Sequence, residues 1–357
     1  MRSASGEVRL PAELAERLGA AGLDPGYVGR VVAMALDEDL AEGEFGDGVH
    51  PGGRDLTSEA TIPAGAQGRA DVVARTDGVV AGLPVAEAVF WLAAARGEIP
   101  ARRDVRPAGR RDPDALAGRG DGAGPFGIKY RAADGDRVKR TDVLLTVTGP
   151  VRTLLTAERT ALNLLTHLSG VATLTRRWAD EVAGTGARIR DTRKTLPGLR
   201  ALQKYAVRCG GGQNHRMSLE DAVLIKDNHV AAAGSISAAL AAVEPFITDE
   251  AARLTAEVEC DTLDQVREAA AAGARLILLD NFAIADMAAA VTLVADLRPR
   301  PRLEASGGLT LGRARDVAAT GVDYLSVGAL THSAPVLDIA LDLMTTESPL
   351  ERHAADD

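Results

Sequence analysis

One stretch of this otherwise acidic chain is rich in cations placed to hold anions. Between Arg188 and His229, nine Lys and Arg stand against four Asp and Glu, a local balance of +5, while the 357 residues together carry a formal net charge of −9. Arg193, Arg216 and Lys226 suit carboxylates, and the planar guanidiniums of the two arginines can each engage both oxygens of one group; Lys194, a compact charge, suits phosphate. His215 precedes Arg216 in the run Gly210-Gly-Gly-Gln-Asn-His-Arg, where three glycines let the backbone turn sharply or approach a ligand. A core histidine and an ordinary glycine loop are the competing readings of that run.

Carboxylates and small residues continue the pattern. Glu259 and Asp280 come from successive units, and two roles are open to them: holding Mg²⁺ with hydroxyls and pyrophosphate, or stabilising positive charge that develops on a sugar ring. Ser306-Gly307-Gly308, ahead of a helix expected from Thr310, joins Gly328 of the next unit in the form of a phosphate cradle. His332, four residues past Gly328, adds a donor. Any one of these could be a solvated loop charge or a helix cap, but independent loop residues have no reason to recur at one phase of five or six units.

That phase is set by short apolar runs at Ala187–Arg190, Ala222–Ile225, Leu254–Val258, Leu276–Leu279, Arg302–Ala305 and Tyr324–Val327, separated by Ala-rich helical stretches. Runs apolar on both faces and linked by helices predict an α/β fold: a parallel α/β barrel, incomplete and TIM-like, whose strand C-termini carry the site. A doubly wound open sheet is the alternative, but no Gly-x-Gly-x-x-Gly follows the first strand. Ahead of the barrel the pattern predicts an α+β open-sandwich domain, with a helix over residues 12–40 and strands over Gly68–Val80 and Val143–Val147. Two helices are expected over 151–182, broken at Ser169-Gly170. The domains are placed at 1–168 with 333–357, and at 169–332. Gly43–Arg54 and Pro107–Gly127, rich in Gly, Asp, Pro and Arg, read as exposed loops.

An acidic chain repels nucleic acid and anionic membranes, so no nucleic-acid partner and no membrane is expected. Cys209 and Cys260 form no framework, and no signal-peptide core or long apolar span can be drawn, which points to the cytoplasm.

These motifs, with Glu158-Arg159-Thr-Ala-Leu-Asn163, Asp191 to Arg200, Lys226-Asp-Asn-His229, Glu257-Val-Glu259 and Leu279-Asp-Asn281, resemble the quinolinate phosphoribosyltransferase family. The resemblance is dense over 130–345 and looser before it. It implies a Mg²⁺-dependent reaction of quinolinate with phosphoribosyl pyrophosphate, giving nicotinate mononucleotide, pyrophosphate and CO₂ in NAD synthesis. It also implies a homodimer, with further assembly left open. Arg193, His215, Arg216 and Lys226 would surround quinolinate, with Arg159 entering from the partner subunit. Lys194, Glu259, Asp280, Ser306, Gly307, Gly308 and Gly328 would surround the donor, and Glu259 and Asp280 would hold metal. The family's compact acidic motif near the start is split here, Glu38-Asp39-Leu40 lying apart from Asp55-Leu-Thr57. A sister enzyme acting on nicotinate or another ring, and a noncatalytic phosphate-ligand sensor, are the rival readings.

Overall fold

The computed structural model describes residues 9–45, 52–97, 127–247 and 256–345. Contacts divide the chain into two compact units, Met1–Ser169 with Val336–Asp357, and Gly170–Pro335. Most of the two loop stretches read from composition, residues 46–51 and 107–126, lies outside the described residues.

In the first unit the helix expected over 12–40 is two helices, α1 (Ala12–Ala20) and α2 (Pro25–Asp39). Gly22 at φ +73° turns the chain, Asp24 accepts from the Tyr27 N–H at 2.6 Å, and Pro25 occupies the first helical position. That cap and proline start a new helix however continuous the apolar pattern is. α3 (Leu56–Thr61), β1 (Gln67–Ala74), β2 (Gly78–Val79), α4 (Leu83–Gly97), β3 (Gly127–Tyr130), β4 (Arg137–Val138) and β5 (Val143–Pro150) follow. The last strand among the described residues, β12 (Ile339–Thr345), belongs to this unit and completes a sheet in the order β12-β1-β5-β3, with antiparallel pairing throughout.

α5 runs unbroken from Val151 to Glu181, so the break expected at Ser169-Gly170 is absent. Ser169 is fully buried, and its hydroxyl accepts from the Ala81 N–H at 3.1 Å and lies 3.3 Å from the Ala81 carbonyl. A serine committed to a distant loop does not compete for its own helix backbone.

The second unit alternates β6 (Arg188–Arg190), α6 (Arg200–Cys209), β7 (Leu224–Ile225), α7 (Asp227–Ala233), α8 (Ile236–Val243), β8 (Glu257–Cys260), α9 (Leu263–Ala271), β9 (Leu276–Asp280), α10 (Ile284–Val294), β10 (Arg302–Ser306), α11 (Ala314–Ala319), β11 (Tyr324–Ser326) and α12 (Ala329–His332). Among the described residues six strands form one parallel sheet, β6-β11-β10-β9-β8-β7, and no ladder joins β6 to β7. Gln213 bridges to Arg190 on the outer edge of β6, and His215, two residues on, reaches Glu257 of β8 at 2.8 Å. In a flat sheet those positions are separated by five strand spacings, roughly 24 Å. The sheet therefore curls into an incomplete barrel whose open edge is crossed by side chains. β8 ends two residues later than its apolar run suggests, which places Glu259 inside the strand and, by the two-residue alternation, on the same face as Glu257.

The three glycines after α6 approach a helix. A methyl group on Gly210 would stand 2.5 Å from the Ala172 carbonyl oxygen and from Thr175 Cβ, and one on Gly212 2.8 Å from Thr175 Cγ2. Gly210→Ala is expected to cost about 1–3 kcal/mol through overpacking against α5. Gly65→Ala, facing open space, should stay within about 0.5 kcal/mol. Urea unfolding of both variants checks this, and equal stabilities would refute the close approach.

Candidate active site

The site begins with a pair of opposite charges that water does not reach. Lys204 of α6 and Asp191, just after β6, are both fully buried and hydrogen-bonded to each other. Asp191 also accepts from Asn214 Nδ2 at 2.6 Å and from the His215 N–H at 2.8 Å, while Lys204 donates to the His215 carbonyl at 2.8 Å. Burial pushes the Asp191 carboxyl up and the Lys204 ammonium down, each against its partner's charge. The result is a fixed segment from Asn214 to Arg216 on the open edge of the barrel.

His215 spends both ring nitrogens on the protein. Nδ1 accepts from the Arg216 N–H at 2.7 Å, so the proton of the neutral ring sits on Nε2 and is donated to Glu257 Oε2 at 2.8 Å. Burial pushes the His215 pKa down and keeps the ring neutral. Glu304 lies 3.6 Å from Nε2 and is held by Arg190 and the Ser326 hydroxyl, and the Arg190 guanidinium stacks 4.4 Å from the Tyr324 ring centroid. Donor atoms of His215, Glu257 and Glu304 gather within 4.8 Å. A metal would need a lone pair on Nε2, and the Arg216 contact places the proton there, so this cluster suits a hydrogen-bonded network. Burial pushes Glu257 up to about 7, opposed first by Arg190 and then by Arg216, and its Oε1 is buried without a partner.

Above this layer lie the cations and carboxylates of the mouth. Burial, and then the like charge of Arg193, push Arg216 down, which marks two guanidiniums set close together. Arg193 Nε is buried and unpartnered, and Arg216 donates to the Ala222 carbonyl at 3.0 Å. Lys226, half-exposed, donates to Glu259 Oε2 at 2.6 Å. Burial and then the like charge of Glu259 push Asp280 up. His229 Nδ1 accepts from the Lys226 N–H at 2.9 Å and caps α7.

Next to the carboxylates stands the glycine cradle. Ser306 and Asp280 are register partners at the ends of β10 and β9, and Gly307 and Gly308 adopt φ +82° and +58°. A methyl group on Gly328 would lie 3.1 Å from Lys194 Cδ and 3.2 Å from His332 Nε2, so the β6 and β11 loops meet here. Thr331 fixes the Lys194 carbonyl at 2.8 Å. The helix expected from Thr310 begins as a 3-10 turn, Leu311–Arg313, that leads into α11.

Arg193, Lys194, His215, Arg216, Lys226, Glu259, Asp280, Ser306, Gly307, Gly308 and Gly328 thus all belong to loops and to the C-terminal parts of strands of the barrel unit, and His332 ends its short helix α12. Arg159 is exposed on α5 in the other unit. Charge counting overstated the anion-binding cations: Lys204 and Arg190 are consumed by Asp191 and Glu304. It gave Glu257 and Asn214 only as members of motifs, without a role, and missed Glu304. Glu304 had a visible signal, an acid at the centre of an apolar strand.

Converging cations, paired carboxylates and a glycine cradle at the strand C-termini of a parallel barrel define a barrel that handles phosphorylated and carboxylated ligands. Models of the quinolinate phosphoribosyl transferase family match the chain, the C-terminal domain over residues 171–342 and the N-terminal domain over 55–101 and 92–169. The carboxylating nicotinate-nucleotide pyrophosphorylase of Mycobacterium leprae is 49% identical over 312 residues, which is 87% of this chain and 95% of that one. The decarboxylating quinolinate phosphoribosyltransferase 1 of Nicotiana glauca is 36% identical over 90% of this chain and 83% of its own. Among solved structures, NadC from Streptococcus pyogenes superposes with a TM-score of 0.74 at 34% identity, covering 91% of this chain and 99% of that one. The chain belongs to the quinolinate phosphoribosyl transferase family.

The Glu257 environment sets a pH dependence. A carboxyl whose pKa is raised on folding contributes stability that is complete below its ordinary value of 4.5 and lost as pH climbs through about 7. Glu257→Gln cannot ionise, so wild-type stability minus variant stability should fall between those values. Urea midpoints from pH 4 to 8 with a constant difference would contradict it.

Proposed function

We propose that this protein transfers the phosphoribosyl group of phosphoribosyl pyrophosphate to quinolinate, releasing pyrophosphate and CO₂ and forming nicotinate mononucleotide for NAD synthesis. The observation that carries this reading is the close cationic group Arg193 and Arg216, with Lys226 beside Glu259 and Asp280. Two adjacent ring carboxylates need several cations, and a sugar cation needs the opposite.

In this reading Arg193, Arg216 and Lys226 hold the two carboxylates, and His215 holds Arg216 in place through its backbone N–H. Lys194, Ser306, Gly307, Gly308, Gly328 and His332 hold the donor's phosphates. Pyrophosphate takes the electron pair of the C1–O bond as it leaves. Glu259 and Asp280 stabilise the oxocarbenium-like sugar, and the pyridine nitrogen donates its pair to C1. Loss of CO₂ from C2 leaves an electron pair beside the alkylated ring nitrogen, which stabilises it, and a proton replaces the carboxylate. Orientation contributes more here than acid-base chemistry.

Glu259 and Asp280 are the residues that would hold Mg²⁺. They fit a hard cation, since both offer oxygen and the like charge between them is what a cation relieves. When bound, the ion neutralises charge on the pyrophosphate. We further propose a homodimer in which Arg159 of the partner subunit enters the ring pocket; its exposure on α5 supports this. Free thiols at Cys209 and Cys260 support a cytoplasmic location. No single helix among the described residues is long and apolar enough to cross a membrane.

Incubating the protein with quinolinate, phosphoribosyl pyrophosphate and Mg²⁺ should release CO₂ and pyrophosphate in equal amounts, whereas nicotinate as acceptor should not support turnover. A phosphate-ligand sensor would release neither. Arg193→Ala and Arg216→Ala are expected to raise the quinolinate KM at least about tenfold, the weight of one charged hydrogen bond. Glu259→Ala should instead lower kcat; the opposite pattern would reverse the assignments.

A further inference from the structure

Asn281 directly follows Asp280 and is the one non-glycine residue at positive φ, +55°, among the described residues of the barrel unit. That conformation is uncommon away from glycine, and asparagine tolerates it better than most residues. It falls at the C-terminal end of β9, the face on which barrels place their chemistry. The geometry points to Asn281 as a positioning residue that holds the Ser306-Gly307 phosphate loop in register with the Asp280 carboxylate. This inference rests on reading that part of the mouth as the site of the phosphoribosyl donor.

Three contacts carry it. The Asn281 N–H donates to the Ser306 carbonyl at 3.0 Å, one step beyond the last register pair of β9 and β10. Its Nδ2 donates to Asp280 Oδ2 at 2.6 Å, and since a carboxylate only accepts, this fixes which way the amide points. Oδ1 therefore faces the other way and fills the space beside Gly307: a methyl group there would overlap Oδ1 and stand 2.9 Å from the Asn281 backbone nitrogen. Gly307 is at φ +82°, and its missing side chain leaves the space that Asn281 fills. One amide thus sets the distance between the carboxylate expected at the sugar and the loop expected at the phosphate. Aspartate would keep the backbone but present an oxygen to Asp280, and glycine would keep the backbone and remove the amide.

Steady-state kinetics on wild type, Asn281→Gly, Asn281→Asp, Gly307→Ala and the Asn281→Gly/Gly307→Ala double variant test this. Asn281→Gly should raise the donor KM about tenfold while the quinolinate KM stays within about twofold and the melting temperature is unchanged. Asn281→Asp should do at least as much harm. Gly307→Ala should be worse alone than in the double variant, where the collision with the Asn281 side chain is removed and only the backbone contact and the positive φ remain. An Asn281→Gly enzyme with a wild-type donor KM overturns the inference, as do both KM values rising together with a lower melting temperature, or a double variant no better than Gly307→Ala. If Gly307→Ala does not fold, the two Asn281 variants still decide. A wild-type protein that turns over no quinolinate would refute the functional reading itself, whereas an active enzyme with the wrong variant pattern refutes only the role of Asn281.

Discussion

The ion pair between Lys204 and Asp191 is the contact on which the rest of the barrel's working edge depends. Neither charge reaches water, and burying both costs several kcal/mol apiece before their attraction repays it. Apolar residues of the same size would pack there at least as stably. What they would lack is directionality. Asp191 accepts from Lys204, Asn214 and the His215 N–H, and Lys204 also reaches the His215 carbonyl. The six-stranded ladder leaves β6 and β7 unpaired among the described residues, so a segment must be fastened across that edge by side chains. The buried pair does the fastening and in doing so aims Arg216.

From this anchor the charges rise in layers whose burial sorts their roles. Arg190, Glu257, Glu304 and His215 form a second layer in which, of the fully buried side-chain polar atoms, only Glu257 Oε1 and Arg190 Nε lack a partner. A buried network so nearly satisfied is rigid, because each group that moves leaves another unpaired in low dielectric. The mouth above it differs. Burial and then Arg193 push Arg216 down, and burial and then Glu259 push Asp280 up, so like charges are held near one another here. Such an arrangement persists where the fold beneath is rigid and where a ligand of opposite charge completes it.

The strand-end residues were legible because in a parallel barrel a repeating unit presents the same phase of every loop to one mouth. Asp280, Ser306 and Gly328 could be placed from spacing alone. Lys204 could not. Residues 202–207 of α6 are all buried, so no helical period separates the lysine from an apolar neighbour, and a count of charges assigns it to an anion. The glycine run was ambiguous for a related reason: sequence records that backbone comes close to something, and only tertiary structure says that the something is α5. Ser169-Gly170 misled because the partner of the serine hydroxyl, Ala81, lies 88 residues away. Glu257 was visible only as part of a motif, because its importance comes from Nε2 of a histidine on the far edge of the sheet.

Two lysine–carboxylate pairs in this unit show how little the word salt bridge decides. Lys204 and Asp191 are wholly buried, whereas the Lys226 side chain is 48% exposed and Glu259 11%. Removing one partner of the first strands a charge in the interior; removing one of the second leaves a charge that water can still reach. A pair exposed to that degree contributes at most about 1 kcal/mol to folding. Its position at the ends of β7 and β8, between the guanidinium group and Asp280, is therefore poorly explained by stability. In the proposed reaction it would be the seam between the cations that hold the ring carboxylates and the carboxylates that face the sugar, since bringing a dianionic ring to a developing sugar cation requires those halves to adjoin.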